Sequence, residues 1–376
     1  MIIAAGRVVA AETDLAPGHL VMAGDRIMSV GAGIPPEADR VFPRGTIVPG
    51  FVDLQVNGGV GVDLLDGREG DVARLSRYLA STGTTGFLAT LISASTERLR
   101  SALSALTDAA PDGADLLGVH LEGPVLNPQR RGAHNARWLR PPDDPEVRRL
   151  YGDALPHLRL VTLAPELPGS DALTKWLVGR GVVVALGHSE ATYEQAVRAF
   201  GQGVRMATHL FNAMRSFHHR EPGAVGAALD DVRCVCGLIA DGVHLHPAAL
   251  RLAYRLLGPE RIALVTDAGA AAGMPRGMYT AGDQPVRVAE DGIPRLADGT
   301  LAGSVLRMDQ AVTNLVAWGI PLREAVLSAS RTPLRLLGLL DRGVLAPGYR
   351  ADLVVLGEDG PALLTLVAGR PVYDRA

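Results

Sequence analysis

Several short apolar runs in this chain finish on a residue that can bind a metal, move a proton or hold a polar ligand. GVHLEGP carries Glu122, VVVALGH ends at His188, RMATHLFN holds His209 and Asn212, and IALVTDA holds Asp267. A core needs no carboxylate or imidazole at the tip of a buried strand, because burying such a group costs free energy unless it is paired. One carboxylate and two imidazoles do make a metal-ligand set that leaves a position open for water, as hydrolytic sites require. Read singly, each has an ordinary alternative. Glu122 could pair with an arginine, His188 could bond to backbone at a helix entry, and His209 could be a satisfied core histidine. Their coincidence on the third, fifth and sixth of a series of strands favours one shared site. Asp267 could then take a proton from water and return it to a leaving group. Its alternative is a helix N-cap, which the following AGAAAG makes a poor fit.

Other polar residues are less decided. Gln55 and Asn57 end the first strand, and Asp241 and His244 follow the seventh. His134 lies in the Arg-rich stretch RRGAHNARWLR, where sequence pattern alone favours a surface histidine. His218 and His219 read as loop residues, and His246 as facing the helix that follows it. The guanidinium of Arg220 suits bidentate phosphate binding; its alternative is an ion pair with Glu221 or Asp230.

The elements that must position these groups alternate. Near-continuous apolar runs predict strands at 51–57, 86–92, 116–122, 158–164, 182–188, 205–211, 232–240 and 262–267, as expected when both faces of a sheet are covered. Helical patterns lie between most of them, such as 71–83, 96–110, 191–203 and 247–258. Eight such units predict an α/β fold, a (β/α)8 TIM barrel, whose catalytic groups sit at the C-terminal strand ends. The connection 212–231 reads as a loop. Both chain ends read as short strands broken by Gly and Pro. They predict a small discontinuous β-sandwich from 1–49 plus 341–376 around a barrel domain at 50–340. An open doubly wound sheet is set aside, because QVNGGVGVD lacks the GxGxxG register.

Composition narrows the partners. The 376 residues are 47% hydrophobic with a net charge of −3, which gives no electrostatic reason to expect nucleic acid or an anionic membrane. No apolar run approaches the roughly 18 residues of a membrane span, and the N-terminus lacks the features of a signal peptide. A cytoplasmic enzyme is expected. The two cysteines, Cys234 and Cys236, read as core thiols in a strand rather than a disulfide or metal pair.

In their order along the chain, PGFVDLQVNGG, HLEGP, GAHN, GHSEAT, THLFNAM, REPG, ADGVH, VTDA, DGTLAGS and PGYRADLVVL carry a specific resemblance. The chain resembles the N-acetylglucosamine-6-phosphate deacetylases of the amidohydrolase superfamily. That resemblance implies one divalent cation, zinc first with iron, manganese or cobalt as alternatives, held by Glu122, His188 and His209. It implies Asp267 as general base and acid, and His134 as a substrate contact that polarises the acetamide carbonyl. It implies that Asn212, Ala213, Arg220 and His244 hold a sugar phosphate, partly across a homodimer. Ala133, Asp241, Gly242, Leu301, Ala302 and Gly303 would also line the pocket. Many superfamily members carry His-x-His on the first strand for a second metal. Gln55 and Asn57 stand there instead, and neutral amides are weak ligands, so one metal is expected rather than two. The alternatives are the same reaction on N-acetylgalactosamine 6-phosphate, amide hydrolysis on a cyclic amide or N-acyl amino acid, and a non-catalytic scaffold.

Overall fold

The structure, a computed structural model, describes residues 1–11, 13–107 and 109–375. Asp108, within the predicted helical pattern 96–110, lies outside the described residues, as do Glu12 and Ala376 of the terminal segments.

Eight parallel strands among the described residues form the barrel: Phe51–Val56, Thr84–Ile92, Asp115–Glu122, Leu158–Leu163, Val183–Leu186, Val204–Ala207, Val235–Leu238 and Ile262–Leu264. Each pairs with the next in register order. The first and eighth strands meet just beyond the latter's end, where the Asp267 N–H donates to Gln55 O at 2.9 Å and the Asn57 N–H to Ala268 O at 2.8 Å. The strands are mostly apolar, because helices cover the outside while side chains fill the inside; Asp53, Gln55, His120 and Glu122 are buried polar exceptions on two of them. Fully buried side chains such as Leu54 and Phe87 each contribute about 1.5–3 kcal/mol.

The helices follow the amphipathic patterns. Val72, Leu75 and Leu79 place one buried stripe on Asp71–Ala80, as a 3.6-residue period dictates. Thr192 and Gln195 close a capping box at the start of Tyr193–Gly201. His246 caps Pro247–Leu257 by accepting from the Ala248 N–H at 3.2 Å. The 212–231 connection is a correction, since it contains the helix Gly223–Asp230. This helix is mostly Gly, Ala and Val, and residues 223–228 are all buried. With no polar face, it offers no periodic signal.

The termini build a β-sandwich from one eight-stranded sheet, in which Arg40–Pro49 pairs with both Ile2–Val9 and Leu353–Leu356. Ile3, Leu20, Ile47, Leu353 and Leu366 belong to its separate core. Cys234 and Cys236 are buried free thiols. No helix among the described residues is long and apolar enough to cross a membrane.

Candidate active site

A pocket of about 400 Å³ opens at the C-terminal end of the barrel. Glu122 reaches it from the tip of the third strand, and three further polar groups of its floor come from turns just past their strands. His188, His209 and Asp267 lie beyond the ends of their strands, with φ of 49°, 29° and 51°. Such left-handed backbone is uncommon for non-glycine residues and persists only where the surroundings hold it. Around His188 that hold is visible. A Cβ on Gly187 would stand 2.6 Å from Thr162 Cγ2 and 2.9 Å from Thr208 Cβ, so only glycine lets the strand turn there. The Ser189 hydroxyl and the Glu190 N–H then both donate to Glu166, at 2.7 Å each.

Three donor atoms converge. His188 Nε2 and His209 Nε2 each lie 3.1 Å from Glu122 Oε1 and 3.1 Å from one another. Ligands about 2.0–2.2 Å from a tetrahedral ion stand roughly 3.3–3.5 Å apart, so the triangle fits a cation. The His188 tautomer agrees. His188 Nδ1 lies 2.9 Å from Arg130 O, and a carbonyl can only accept, so Nδ1 carries the proton and Nε2 is left with its lone pair. Glu122 is held well below the usual carboxylate range: its burial would raise it, but the imidazoles of His134, His188 and His209 packed against it outweigh that. Burial pushes His188 down. For His209 burial acts in the same sense, but the Glu122 hydrogen bond and charge outweigh it and the shift is upward.

Glu122, His134 and His188 also bring one donor atom each within 4.8 Å of one another, which raises His134 as a competing ligand. The Ser93 N–H donates to His134 Nδ1 at 3.2 Å. That forces the proton of the neutral ring onto Nε2, which lies 3.7 Å from Glu122 Oε2. A protonated nitrogen is a donor and not a ligand, so His209 completes the triangle better. The surface reading of His134 is corrected: it is 3% exposed, because its loop folds back over the second strand and meets Ser93. The Arg-rich sequence around it conceals this.

Asp267 faces the same space. Asn57 Nδ2 and Gln55 Nε2 donate to its Oδ1 at 2.7 and 3.1 Å, and Gln55 Nε2 also reaches Glu122 Oε1 at 3.1 Å. Burial of the carboxyl, with the Glu122 charge behind it, pushes Asp267 up to about 6. The turn that carries it is clamped by residues 301–304, where the Ser304 N–H donates to Asp267 O at 2.8 Å. Gly303 has φ 63°, and a Cβ there would stand 2.9 Å from Asp267 O.

Asn57, Ala133, Asn212, Ala213, His244, Leu301, Ala302 and Gly303 line this pocket, while Gln55 lies buried beneath it. His244 Nδ1 lies 2.6 Å from Asp241 Oδ2. The Asp241 carboxyl stays below its usual range because His244 and two backbone N–H groups outweigh the burial that opposes them. Asp241 and Gly242 themselves stand behind His244, outside the lining. Arg220 is exposed and also outside it, with Nη1 2.9 Å from His219 Nε2. Neither suggested ion pair forms: Arg215 takes Glu221 at 2.7 Å, and the Tyr193 hydroxyl takes Asp230 at 2.6 Å.

A family model for the amidohydrolase family matches residues 46–372. The chain is 38% identical over 346 residues to an N-acetylglucosamine-6-phosphate deacetylase of Vibrio furnissii, covering 90% of this chain and 86% of that one. It is 40% identical to an N-acetylgalactosamine-6-phosphate deacetylase of Escherichia coli O157:H7, covering 82% and 83%. Among solved structures, an alanine variant of N-acetyl-D-glucosamine-6-phosphate deacetylase from Mycobacterium smegmatis, in complex with N-acetyl-D-glucosamine-6-phosphate, superposes with a TM-score of 0.93. That protein is 40% identical, and the match covers 99% of each chain. This chain belongs to the amidohydrolase family, among its N-acetylglucosamine-6-phosphate deacetylases.

Two buried residues beside the site, Asp53 and His120, were not singled out from the sequence. Asp53 sits two residues before Gln55 and accepts from the Thr266 hydroxyl at 2.6 Å, bracing the residue before Asp267. Beneath Glu122, His120 Nε2 meets Thr162 Oγ1 at 2.8 Å, which meets Thr208 Oγ1 at 2.7 Å. Burial pushes His120 down to about 4, so it stays neutral. Alternation supplied a signal for both positions, since Asp53 shares a face with Gln55 and His120 with Glu122.

Proposed function

We propose that this amidohydrolase removes the acetyl group from N-acetyl-D-glucosamine 6-phosphate, giving D-glucosamine 6-phosphate and acetate. The observation that carries this reading is the 3.1 Å triangle of Glu122, His188 and His209, with Asp267 and the His134 Nε2 proton on the same pocket. The names of the relatives, and the sugar phosphate bound in the Mycobacterium smegmatis structure, support the substrate.

In this reading Glu122, His188 and His209 hold one divalent cation, zinc, in a mixed N/O set that iron, manganese or cobalt could also occupy. When bound, such a cation polarises the amide carbonyl and makes water acidic enough to ionise near neutral pH. Asp267 Oδ2 takes the proton from the attacking water. His134 Nε2–H donates to the carbonyl oxygen as negative charge develops there, a type of contact worth about 2.7–4 kcal/mol. Asp267 then delivers its proton to the sugar nitrogen, which leaves as an amine rather than an anion.

Asn212, the Ala213 backbone and His244 hold the phosphorylated end of the sugar. The exposed Arg220 serves the pocket of a partner subunit, so the working form is a homodimer. The protein acts in the cytoplasm. A second core drawn only from the terminal segments supports a division into 50–340 and 1–49 plus 341–376, with Val9, Val48, Val354, Leu356 and Ala362 packing into the barrel core.

The relative that acts on N-acetylgalactosamine 6-phosphate makes the other epimer the second reading. Acetate release from the two sugar phosphates, measured side by side, decides between them. A higher kcat/KM on the gluco epimer is expected. A clear preference for the galacto epimer would move the assignment, and release from neither would remove it.

A further inference from the structure

Past the eighth barrel strand the chain inserts a three-stranded antiparallel sheet, Gly277–Ala281, Gln284–Val288 and Pro294–Arg295. Ala281 pairs with Gln284, so the first hairpin turns on two residues, Gly282 and Asp283. Gly282 has φ 61°, as tight hairpin turns favour. This turn is tied in two directions. The Gly282 N–H donates to Asp63 Oδ2 at 2.8 Å, on the loop after the first barrel strand. On the other side, Asp283 Oδ2 accepts from Asn135 Nδ2 and from Trp138 Nε1, each at 2.9 Å. Gln284 Nε2 donates to Ala133 O at 3.3 Å.

All three partners on that side flank His134. Between the third strand and the helix Pro145–Ala154, their loop holds only two single-turn 3₁₀ segments, Pro128–Arg130 and Ala136–Trp138. Its placement therefore depends on bonds to other elements. A pocket wall needs only apolar packing to stay in place. A carboxylate at a hairpin tip that gathers two side-chain donors from one loop fixes that loop, and bonds to an ionised acceptor are roughly twice as strong as neutral ones. We propose that Asp283 is a positioning residue for the deacetylation, acting through Asn135 and Trp138 on the loop that presents His134 Nε2 to the substrate. The proposal rests on the role given to His134 above.

The test is steady-state kinetics on metal-loaded Asp283→Ala, Asp283→Asn, Trp138→Phe and His134→Ala, and on the Asp283→Ala/His134→Ala pair. Asp283→Ala should lower kcat by about 10- to 100-fold, as the loss of hydrogen bonds to a charged acceptor allows, with little change in KM. Asp283→Asn, whose amide oxygen can still accept from both donors, should restore most of that loss. Trp138→Phe, which removes one donor, should fall between. In the His134→Ala background the Asp283→Ala change should lower kcat no further, since residues acting as a unit are not additive. Wild-type kcat in Asp283→Ala, a rise in KM alone, or the same loss with and without His134 would each overturn the proposal. If Asp283→Ala does not fold, Trp138→Phe decides alone, and wild-type kcat there overturns it. An impaired His134→Ala beside an unaffected Asp283→Ala removes only this inference; an unimpaired His134→Ala removes the role of His134 and this inference with it.

Discussion

Asn57 Nδ2 lies 2.7 Å from Asp267 Oδ1 and donates to it, with Gln55 Nε2 adding a second bond to the same oxygen at 3.1 Å. Both amides engage Oδ1, so Oδ2 is left to receive a proton. The first-strand amides would thus orient Asp267 for the proposed role of base. Replacing Asn57 with Ala should lower kcat about 10- to 100-fold, equivalent to the roughly 1.5–3 kcal/mol of a hydrogen bond to a charged group. Metal content should not change. Unaltered kcat in N57A would show that Asp267 needs no such orientation.

Asp267 must be ionised to accept a proton. Burial and the Glu122 charge place it at about 6 in the metal-free site; a bound cation would pull it lower, so kcat should decline as pH falls below about 6 and the carboxylate takes up a proton. An Asp267→Asn variant should bind metal and substrate but lose about 10²–10⁴ in turnover. Wild-type turnover in D267N would remove Asp267 from the chemistry.

Arg220 is exposed and outside the pocket lining of its own chain. Arg220→Ala should raise KM for the 6-phosphate at least tenfold, the loss of roughly 1.5–3 kcal/mol expected for a charge-assisted bond. It should leave the slow hydrolysis of unphosphorylated N-acetylglucosamine unchanged. Equal effects on both substrates would place Arg220 outside phosphate recognition.

Asp63 gives a stability prediction. Burial pushes its carboxyl up to about 6, against hydrogen bonds from the Leu65 and Gly282 N–H groups. A raised folded-state value means that the folded protein holds the proton more tightly than the unfolded chain. The resulting stabilisation is complete below about 3.9, the unfolded value, and is lost as pH rises through about 6. The Asp63→Asn variant cannot titrate there. Between pH 4.5 and 7.5, wild type should therefore lose on the order of 2 kcal/mol relative to D63N in chemical denaturation. Parallel curves would mean that Asp63 is not protonated in the fold.

Barrel and sandwich were legible because each depends on a regular period. Leu158–Leu163 and Ile262–Leu264 are apolar runs, and Val72, Leu75 and Leu79 mark a helix face. The convergence of Glu122, His188, His209 and Asp267 was legible because a carboxylate or imidazole at the end of an apolar run is costly without a partner. What escaped detection depends on contacts distant in sequence. Gly223–Asp230 has no polar face to betray a helix. His134 is buried by Ser93, 41 residues away, which no local pattern around GAHN reports. The Gly282–Asp283 turn reaches the pocket only because its hairpin folds back over the barrel mouth.

The proposed function requires a single cation held by Glu122, His188 and His209 for the hydrolysis of an acetamide. Acetate release from N-acetyl-D-glucosamine 6-phosphate, measured on the same samples as metal content for wild type and for Glu122→Gln, tests it most directly. About one divalent ion per active wild-type chain is expected, with metal and acetate release lost together in E122Q. A metal-free wild type that gains no activity with zinc, iron, manganese or cobalt, or an E122Q variant that turns over without metal, would contradict it.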